Sequence, residues 1–174
     1  MFYNNIETDR LLLKNIDSGD SEFIFSQFSD VDINKYLFDA EPLTDISEAD
    51  GVIEFYLKPE PRPQHRWIVI RKADGVKMGT CGFHCWSIED SKVEIGYDLK
   101  KEFWGNGYMY EALKGIIEFA EYSMELKEIN ACIYTENHKS ISLAEKLGFV
   151  LTGSKYEIFR GEKYLHSIYS LNFK

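Results

Sequence analysis

Nowhere in its 174 residues does the sequence reach the ~18 consecutive apolar residues that a membrane-spanning helix needs. Its start, MFYNNIETDRLLLKNID, carries acids where a signal or transit peptide would be uninterruptedly apolar or basic, so a soluble, cytoplasmic protein with no membrane partner is expected. Positive charge is scarce: 20 Lys and Arg face 29 Asp and Glu, a formal net charge of −9. A phosphate backbone requires a basic surface, which excludes nucleic acid as the main partner. An acidic field suits cationic substrates such as amines. Cysteine is also sparse, and Cys81, Cys85 and Cys132 are an odd set that fits reduced intracellular thiols better than a disulfide framework. CGFHC has the composition of a metal site, but on a strand Cys81 and Cys85 share one face and His84 takes the other, so the three cannot converge on an ion. Small buried thiols and no metal are expected.

With 44% apolar and 15% aromatic residues, the chain can bury one substantial core and is short for two, so a single domain over residues 1–174 is expected. RLLLKNI reads as an opening strand. SGDSEFIFSQF follows as a helix, with Ser18 or Asp20 as its cap and Phe23, Ile24 and Phe28 at helical spacing. DISEADGVIEFYL is a second helix: Asp45 and Glu48 form a capping-box pattern, and Val52, Ile53, Phe55 and Tyr56 supply an apolar side. KPEPRP ends it, because Pro59, Pro61 and Pro63 cannot continue a helix. RWIVIRKADGVKMGTCGFHCW then holds two strand-like runs about the turn Ala73-Asp74-Gly75, and KVEIGYDL is a third strand. A long amphipathic helix, YMYEALKGIIEFAEYSMEL, leads to the strand EINACIY and a short helix, NHKSISLAEKL, stopped by Gly148. FVLTGSKYEIF and KYLHSIYSLNF close the chain as a hairpin around RGE. The order β-αα-βββ-α-β-α-ββ is a mixed α/β (α+β) sheet with helices on its faces.

Between the third strand of the meander and the long helix lies EIGYDLKKEFWGNGYMYEAL, where Gly105 and Gly107 relax a loop aimed at a helix start. The first amides of a helix have no internal acceptors and carry the positive end of its dipole, so such a loop suits an anion. Two phosphate loops are excluded. No G-x-x-x-x-G-K-[ST] occurs, which removes the Walker loop. The dinucleotide fingerprint fails because its third small position falls on Tyr110 and because residues 100–104 separate the strand from Gly105, although Glu136 stands where a ribose-binding acid would.

The remaining pattern, Glu102-Phe103-Trp104-Gly105-Asn106-Gly107, resembles the pyrophosphate loop Q/R-x-x-G-x-G/A of the GNAT superfamily of acyl-CoA-dependent N-acetyltransferases. IETDRLLLKNID, EIGYDL, WGNGYMYEAL and NHKSISLAEKLGF occur in family order and are similar to the branch that contains ribosomal-protein N-terminal acetyltransferases. The resemblance implies acetyl-CoA as cofactor, held between splayed central strands. Backbone amides of Trp104, Gly105, Asn106, Gly107, Tyr108 and Met109 would cradle its pyrophosphate, and Tyr97, Asp98 and Leu99 would pair with the pantetheine arm as an added strand. Asn137 and Ser140 match further cofactor-contacting positions, with a helix cap as an alternative role for both. Glu102 departs from the family's first loop position, and Lys100, Lys101 or Lys139 would offset its charge.

Acetyl transfer to an amine needs a neutral nitrogen, a polarised carbonyl and a proton for the leaving thiolate. Glu94 is the first candidate base: on VEIGYDL it alternates onto one face with Gly96 and Asp98, and it matches a position where several family members carry a catalytic glutamate. A structural carboxylate is the alternative. His84 is a second candidate, as a proton relay or a pocket-lining group. Many relatives have a tyrosine as proton donor where this chain has Ala144, leaving Ser140, Tyr134, water or the incoming ammonium. The resemblance places carbonyl polarisation on a backbone N–H near Tyr97 or Leu99. Phe38, Phe55, Tyr56, Trp67, Phe83 and Trp86 are expected to shape the acceptor pocket. The acceptor is a small-molecule amine or a protein N-terminus, and the protein a monomer or homodimer. Ala144 also leaves open a catalytically weakened acyl-CoA-binding sensor.

Overall fold

The computed structural model describes residues 3–38 and 40–174. Eight strands form one sheet in the order β1-β2-β3-β4-β5-β6-β8-β7. They are β1 (Ile6–Glu7), β2 (Leu11–Asn15), β3 (His65–Arg71), β4 (Lys77–Ser87), β5 (Lys92–Leu99), β6 (Glu128–Tyr134), β7 (Val150–Phe159) and β8 (Glu162–Asn172). Helices α1 (Ser21–Phe28), α2 (Val31–Asn34), α3 (Ile46–Tyr56), α4 (Tyr108–Tyr122) and α5 (His138–Lys146) complete it. The mixed sheet and the element order match the sequence expectation, with two additions. β1 and α2 are too short to leave a periodic signature in the sequence.

The sheet separates two cores. On one face α4 buries Met109, Ala112, Leu113, Ile116 and Ala120, the i, i+3, i+4, i+7 stripe that its sequence promises, against Leu11, Leu13, Trp67, Phe83 and Ile129. On the other, α1 and α3 bring Ile24, Ala49, Ile53 and Tyr56 onto Ile16 and Ile68. β3 serves both cores, Trp67 and Val69 facing one and Ile68 and Ile70 the other, which is why RWIVI has no polar alternation.

The helix starts follow local capping chemistry. At α3, Asp45 accepts from the Ser47 N–H at 2.9 Å and Glu48 from the Asp45 N–H at 3.2 Å, the reciprocal box read from sequence. At α1 neither expected cap is used. Asp17 caps a short 3-10 turn, Ser18–Asp20, that feeds the helix. Asp20 turns inward instead, 1% exposed, and accepts from Lys14 at 2.8 Å, Lys77 at 2.6 Å and the Asp17 N–H at 2.9 Å. Burial pushes its carboxyl up, but these donors prevail and hold it below the usual range.

The strand β4 departs from the alternation expected of CGFHC. Its register against β5 shifts between His84 and Ser87, and Cys85 has φ 52°, a bulge that breaks the period of two. Cys81 is fully buried in the α4 core, whereas Cys85 is exposed. The two thiols therefore do not share an environment, and only Cys81 is the small buried thiol expected.

Candidate active site

β5 and β6 run parallel, and their ladder is short: Lys92, Val93 and Glu94 match Glu128, Ile129 and Asn130. From Ile95 to Leu99 the strand pairs with β4 alone. The sheet thus opens beyond Glu94, leaving backbone on this side of β5 without a neighbouring strand, and a cleft of about 970 Å³ occupies the opening. Glu94, Tyr97 and Asp98 of β5 line it, with His84 of β4, Cys132 and Tyr134 of β6, and Lys155 of β7.

At the end of β5 the glycine loop meets α4. Gly105 and Gly107 have φ of 76° and 77°, left-handed values that favour glycine, and no side chain caps the helix at Gly107. The first-turn amides of α4 therefore open towards the loop. The loop is held from within and behind. Trp104 donates its indole N–H to the Leu99 carbonyl at 2.7 Å, and the Asn106 side-chain amide donates to the carbonyls of Phe103 and Trp104 at 3.1 and 3.0 Å. Arg10 donates to the Asn106 carbonyl at 3.1 Å, pairs with Glu111 at 2.6 Å and lies over the Tyr108 ring. Of the lysines weighed against Glu102, Lys100 turns to Ser26 and Lys101 to Asp32, and Lys139 sits 4.0 Å above the Trp104 ring. Met109 points its side chain into the core, so only its backbone faces the loop.

Below the cleft lies a polar network centred on Arg66 of β3. Its guanidinium donates to Thr80 Oγ1, to Asp98 Oδ2 at 3.0 Å, to Tyr56 Oη at 2.8 Å and to His84 Nε2 at 3.3 Å. Asp98 also accepts from Gln27 at 2.6 Å and from the Thr80 N–H at 3.0 Å, so its side chain is committed to this network. Because Arg66 can only donate, His84 Nε2 is an acceptor and Nδ1 carries the proton. Burial and the Arg66 charge push His84 down to about 3, so the imidazole is neutral at physiological pH. Sequence reasoning misses Arg66, Thr80 and Gln27. The visible sign is a charged residue opening the otherwise apolar run RWIVI, a position that demands a buried partner.

Glu94 lies opposite His84 on β4 and beside Asn130 on β6. Burial, then the Glu94 charge, raises the Cys85 thiol; Cys132 is also raised by burial, with Lys155 opposing. Both thiols are held in the protonated, weakly nucleophilic form. Lys155 is held charged by its 2.8 Å bond to Glu157.

Ser140 stands in the first turn of α5, its N–H donating to Asn137 Oδ1 at 3.3 Å, so Asn137 is the helix cap. Ser140 Oγ is 2.7 Å from the Tyr97 hydroxyl, across the split in the sheet. Burial, partly opposed by this bond, pushes Tyr97 up to about 12. Ala144 is buried one turn later. Of the aromatic residues expected at the acceptor pocket, Phe38, Phe55 and Tyr56 line the cleft, whereas Trp67 and Phe83 are fully buried in the α4 core and Trp86 packs against it. Tyr134, Tyr164 and His166 instead join Phe38 in an aromatic cluster, with Phe38 and Tyr164 stacked at 4.0 Å. Among the described residues no group of three His, Cys, Asp or Glu side chains is arranged to hold a metal ion.

A split sheet thus stands beside an uncapped, glycine-relaxed helix start. The acetyltransferase (GNAT) domain family matches residues 10–150. The chain belongs to the GNAT acetyltransferases. It is 34% identical over 148 residues to the uncharacterized N-acetyltransferase p20 of Bacillus licheniformis, covering 84% of this chain and 82% of that one. The fold of this acetyltransferase superposes on RimL, a ribosomal alpha-N-protein acetyltransferase solved with coenzyme A, at a TM-score of 0.86 with 17% identity and 98% of each chain covered. It also superposes on the spermidine N-acetyltransferase of Vibrio cholerae solved with CoA and spermine, at 0.83 with 20% identity, covering 95% of this chain and 96% of that one. No helix among the described residues is long and apolar enough to cross a membrane.

Proposed function

We propose that this GNAT protein moves the acetyl group of acetyl-CoA directly to a primary amine bound in the cleft. The observation that carries the reading is the uncapped start of α4 at two left-handed glycines, next to a strand left without a neighbour on one side. Trp104 through Met109 offer backbone amides to a pyrophosphate, with Lys139 adding positive charge beside them. Tyr97 through Leu99 offer unmatched backbone to an extended pantetheine arm. When bound, acetyl-CoA supplies an activated acetyl group on sulfur.

Glu94 takes the proton from the incoming ammonium, directly or through water, because the other acids lining the cleft are engaged. Asp98 belongs to the Arg66 network, Glu157 holds Lys155, Glu41 pairs with Arg160 and Glu48 completes the α3 cap. An N–H near Tyr97 or Leu99 polarises the carbonyl oxygen. As the nitrogen–carbon bond forms and the carbon–sulfur bond breaks, the second proton that the nitrogen sheds in becoming an amide would pass through the Ser140 hydroxyl to the leaving sulfur, with Tyr97 holding that hydroxyl in place at 2.7 Å. His84, neutral and fixed by Arg66, orients the acceptor rather than carrying protons. The Tyr97–Ser140 pair supplies the hydroxyl that Ala144 lacks, which weakens the motive for a non-catalytic sensor.

Spermidine and ribosomal-protein acetyltransferases share this fold, so the test is an amine screen at fixed acetyl-CoA, read by release of free thiol. Amine-dependent release from a polyamine or a peptide N-terminus is expected. Coenzyme A binding without turnover on any amine would transfer the assignment to the sensor.

A further inference from the structure

The two edges of the sheet are finished differently. β1 is two residues long, too short to recruit another strand. β7 runs ten residues, and almost its whole length is exposed. Val150, Leu151, Tyr156 and Ile158 on it are 58, 61, 63 and 69% exposed, an unusual load of apolar surface for an edge. Edge strands that remain solitary are usually guarded by proline, by unpaired lysines or by bulges along their length. β7 has no proline, and its single register shift lies near one end, between Leu151 and Gly153. Its one lysine, Lys155, is already matched by Glu157 at 2.8 Å.

The sequence of the strand is complementary to itself. Tyr156 pairs with Leu165 of β8, while Lys155 and Glu157 pair with His166 and Tyr164 and so occupy the opposite face. If two β7 strands run antiparallel about Tyr156, Lys155 of each copy falls opposite Glu157 of the other. The along-strand pair that each chain already makes then becomes a square of four charges in which every neighbour has the opposite sign. On the other face Tyr156 meets Tyr156 and Ser154 meets Ile158. No like charges are brought together, and exposed apolar surface is covered.

We propose that β7 pairs antiparallel with β7 of a second copy of this chain, centred on Tyr156, joining two eight-stranded sheets into one across a two-fold axis. The partner is the chain itself, because the charge order Lys155-Tyr156-Glu157 is satisfied by its own reversal. The hairpin that carries this edge also gives Lys155 and Glu157 to the cleft, so each copy steadies a wall of the other's site.

Sedimentation equilibrium of the full chain, with and without charge reversal, tests this. The wild type is expected to be a dimer at micromolar concentration. K155E sets glutamate against glutamate at both cross-strand contacts, and E157K sets lysine against lysine at both. Each variant alone is expected to dissociate at least ~10-fold more readily, given cross-strand charge energetics. Mixing K155E with E157K brings opposite charges together again and should give a heterodimer in preference to either homodimer. The variant carrying both changes in one chain should self-associate as the wild type does, and circular dichroism checks that each variant is folded. A monomeric wild type overturns the proposal. So do single variants that dimerise as the wild type does, or a doubly reversed chain that stays monomeric while folded.

Discussion

Glu94 is the residue whose removal discriminates most sharply among roles. If it receives the ammonium proton, Glu94→Gln should cut turnover by ~100-fold or more at pH 7, the usual scale for a general base. The deficit should shrink towards pH 9, where more amine is already neutral. A pH–rate profile of the variant against wild type checks this, and a constant ratio across pH would assign the carboxylate to structure. In the proposed mechanism Tyr97 is a positioning residue, acting through Ser140. Tyr97→Phe keeps the ring and loses the hydroxyl, so kcat should fall roughly 10-fold while the KM for acetyl-CoA stays unchanged. A rise in KM with kcat intact would instead mark Tyr97 as a binding contact only. Alternation alone puts these two side chains on opposite faces of VEIGYDL, and the strand keeps that alternation. What alternation cannot give is the distance from Tyr97 to Ser140, because that depends on how far the sheet opens.

Among the elements, the loop between β5 and α4 is the most legible in the sequence, since two glycines before a helical stripe have few other uses. The structure adds that a Cβ at Gly105 would meet nothing within 4 Å, so a substitution there acts through backbone conformation and through the face left for a ligand, not through a clash within the chain. Gly105→Val forces a β-branched residue to φ near 76°. Coenzyme A affinity, measured by calorimetry, should fall ~10-fold or more, in keeping with a left-handed penalty of about 1–2 kcal/mol. Unchanged affinity would move the cradle elsewhere. The α3 capping box is readable because both partners lie within one turn, whereas the start of α1 is not, because Asp20 is drawn away by Lys77 from a distant strand. The Cys85 bulge is hidden for a similar reason. A single inserted residue leaves hydrophobic composition unchanged while reversing which face every later side chain takes.

Across the whole molecule, the least readable feature is also the one with the widest consequence for stability. His65 and His84 are both pushed down to about 3, by burial first and by Arg62 and Arg66 respectively second. Their ordinary value is 6.5, so between about 6.5 and 3 the unfolded chain binds protons that the folded chain refuses. Stability is complete above that window and declines as pH falls through it, by on the order of 1 kcal/mol per pH unit for each histidine. Urea midpoints from pH 7 to pH 4 should show this decline, and His65→Gln should remove about half of it, leaving the part due to His84. A flat wild-type curve would mean that both rings protonate in place. Periodicity places both histidines on strands and goes no further. Their burial and their arginine neighbours are products of tertiary packing.

Arg66 joins three elements at one guanidinium: Tyr56 from α3, Thr80 and His84 from β4, and Asp98 from β5, which in turn holds Gln27 of α1. The floor beneath the reaction is therefore a keystone that no single segment can shift alone. The rim of the cleft is held differently, by the exposed pair of Arg160 with Glu41 and the contact of Phe159 with Phe38, which can change without disturbing the floor.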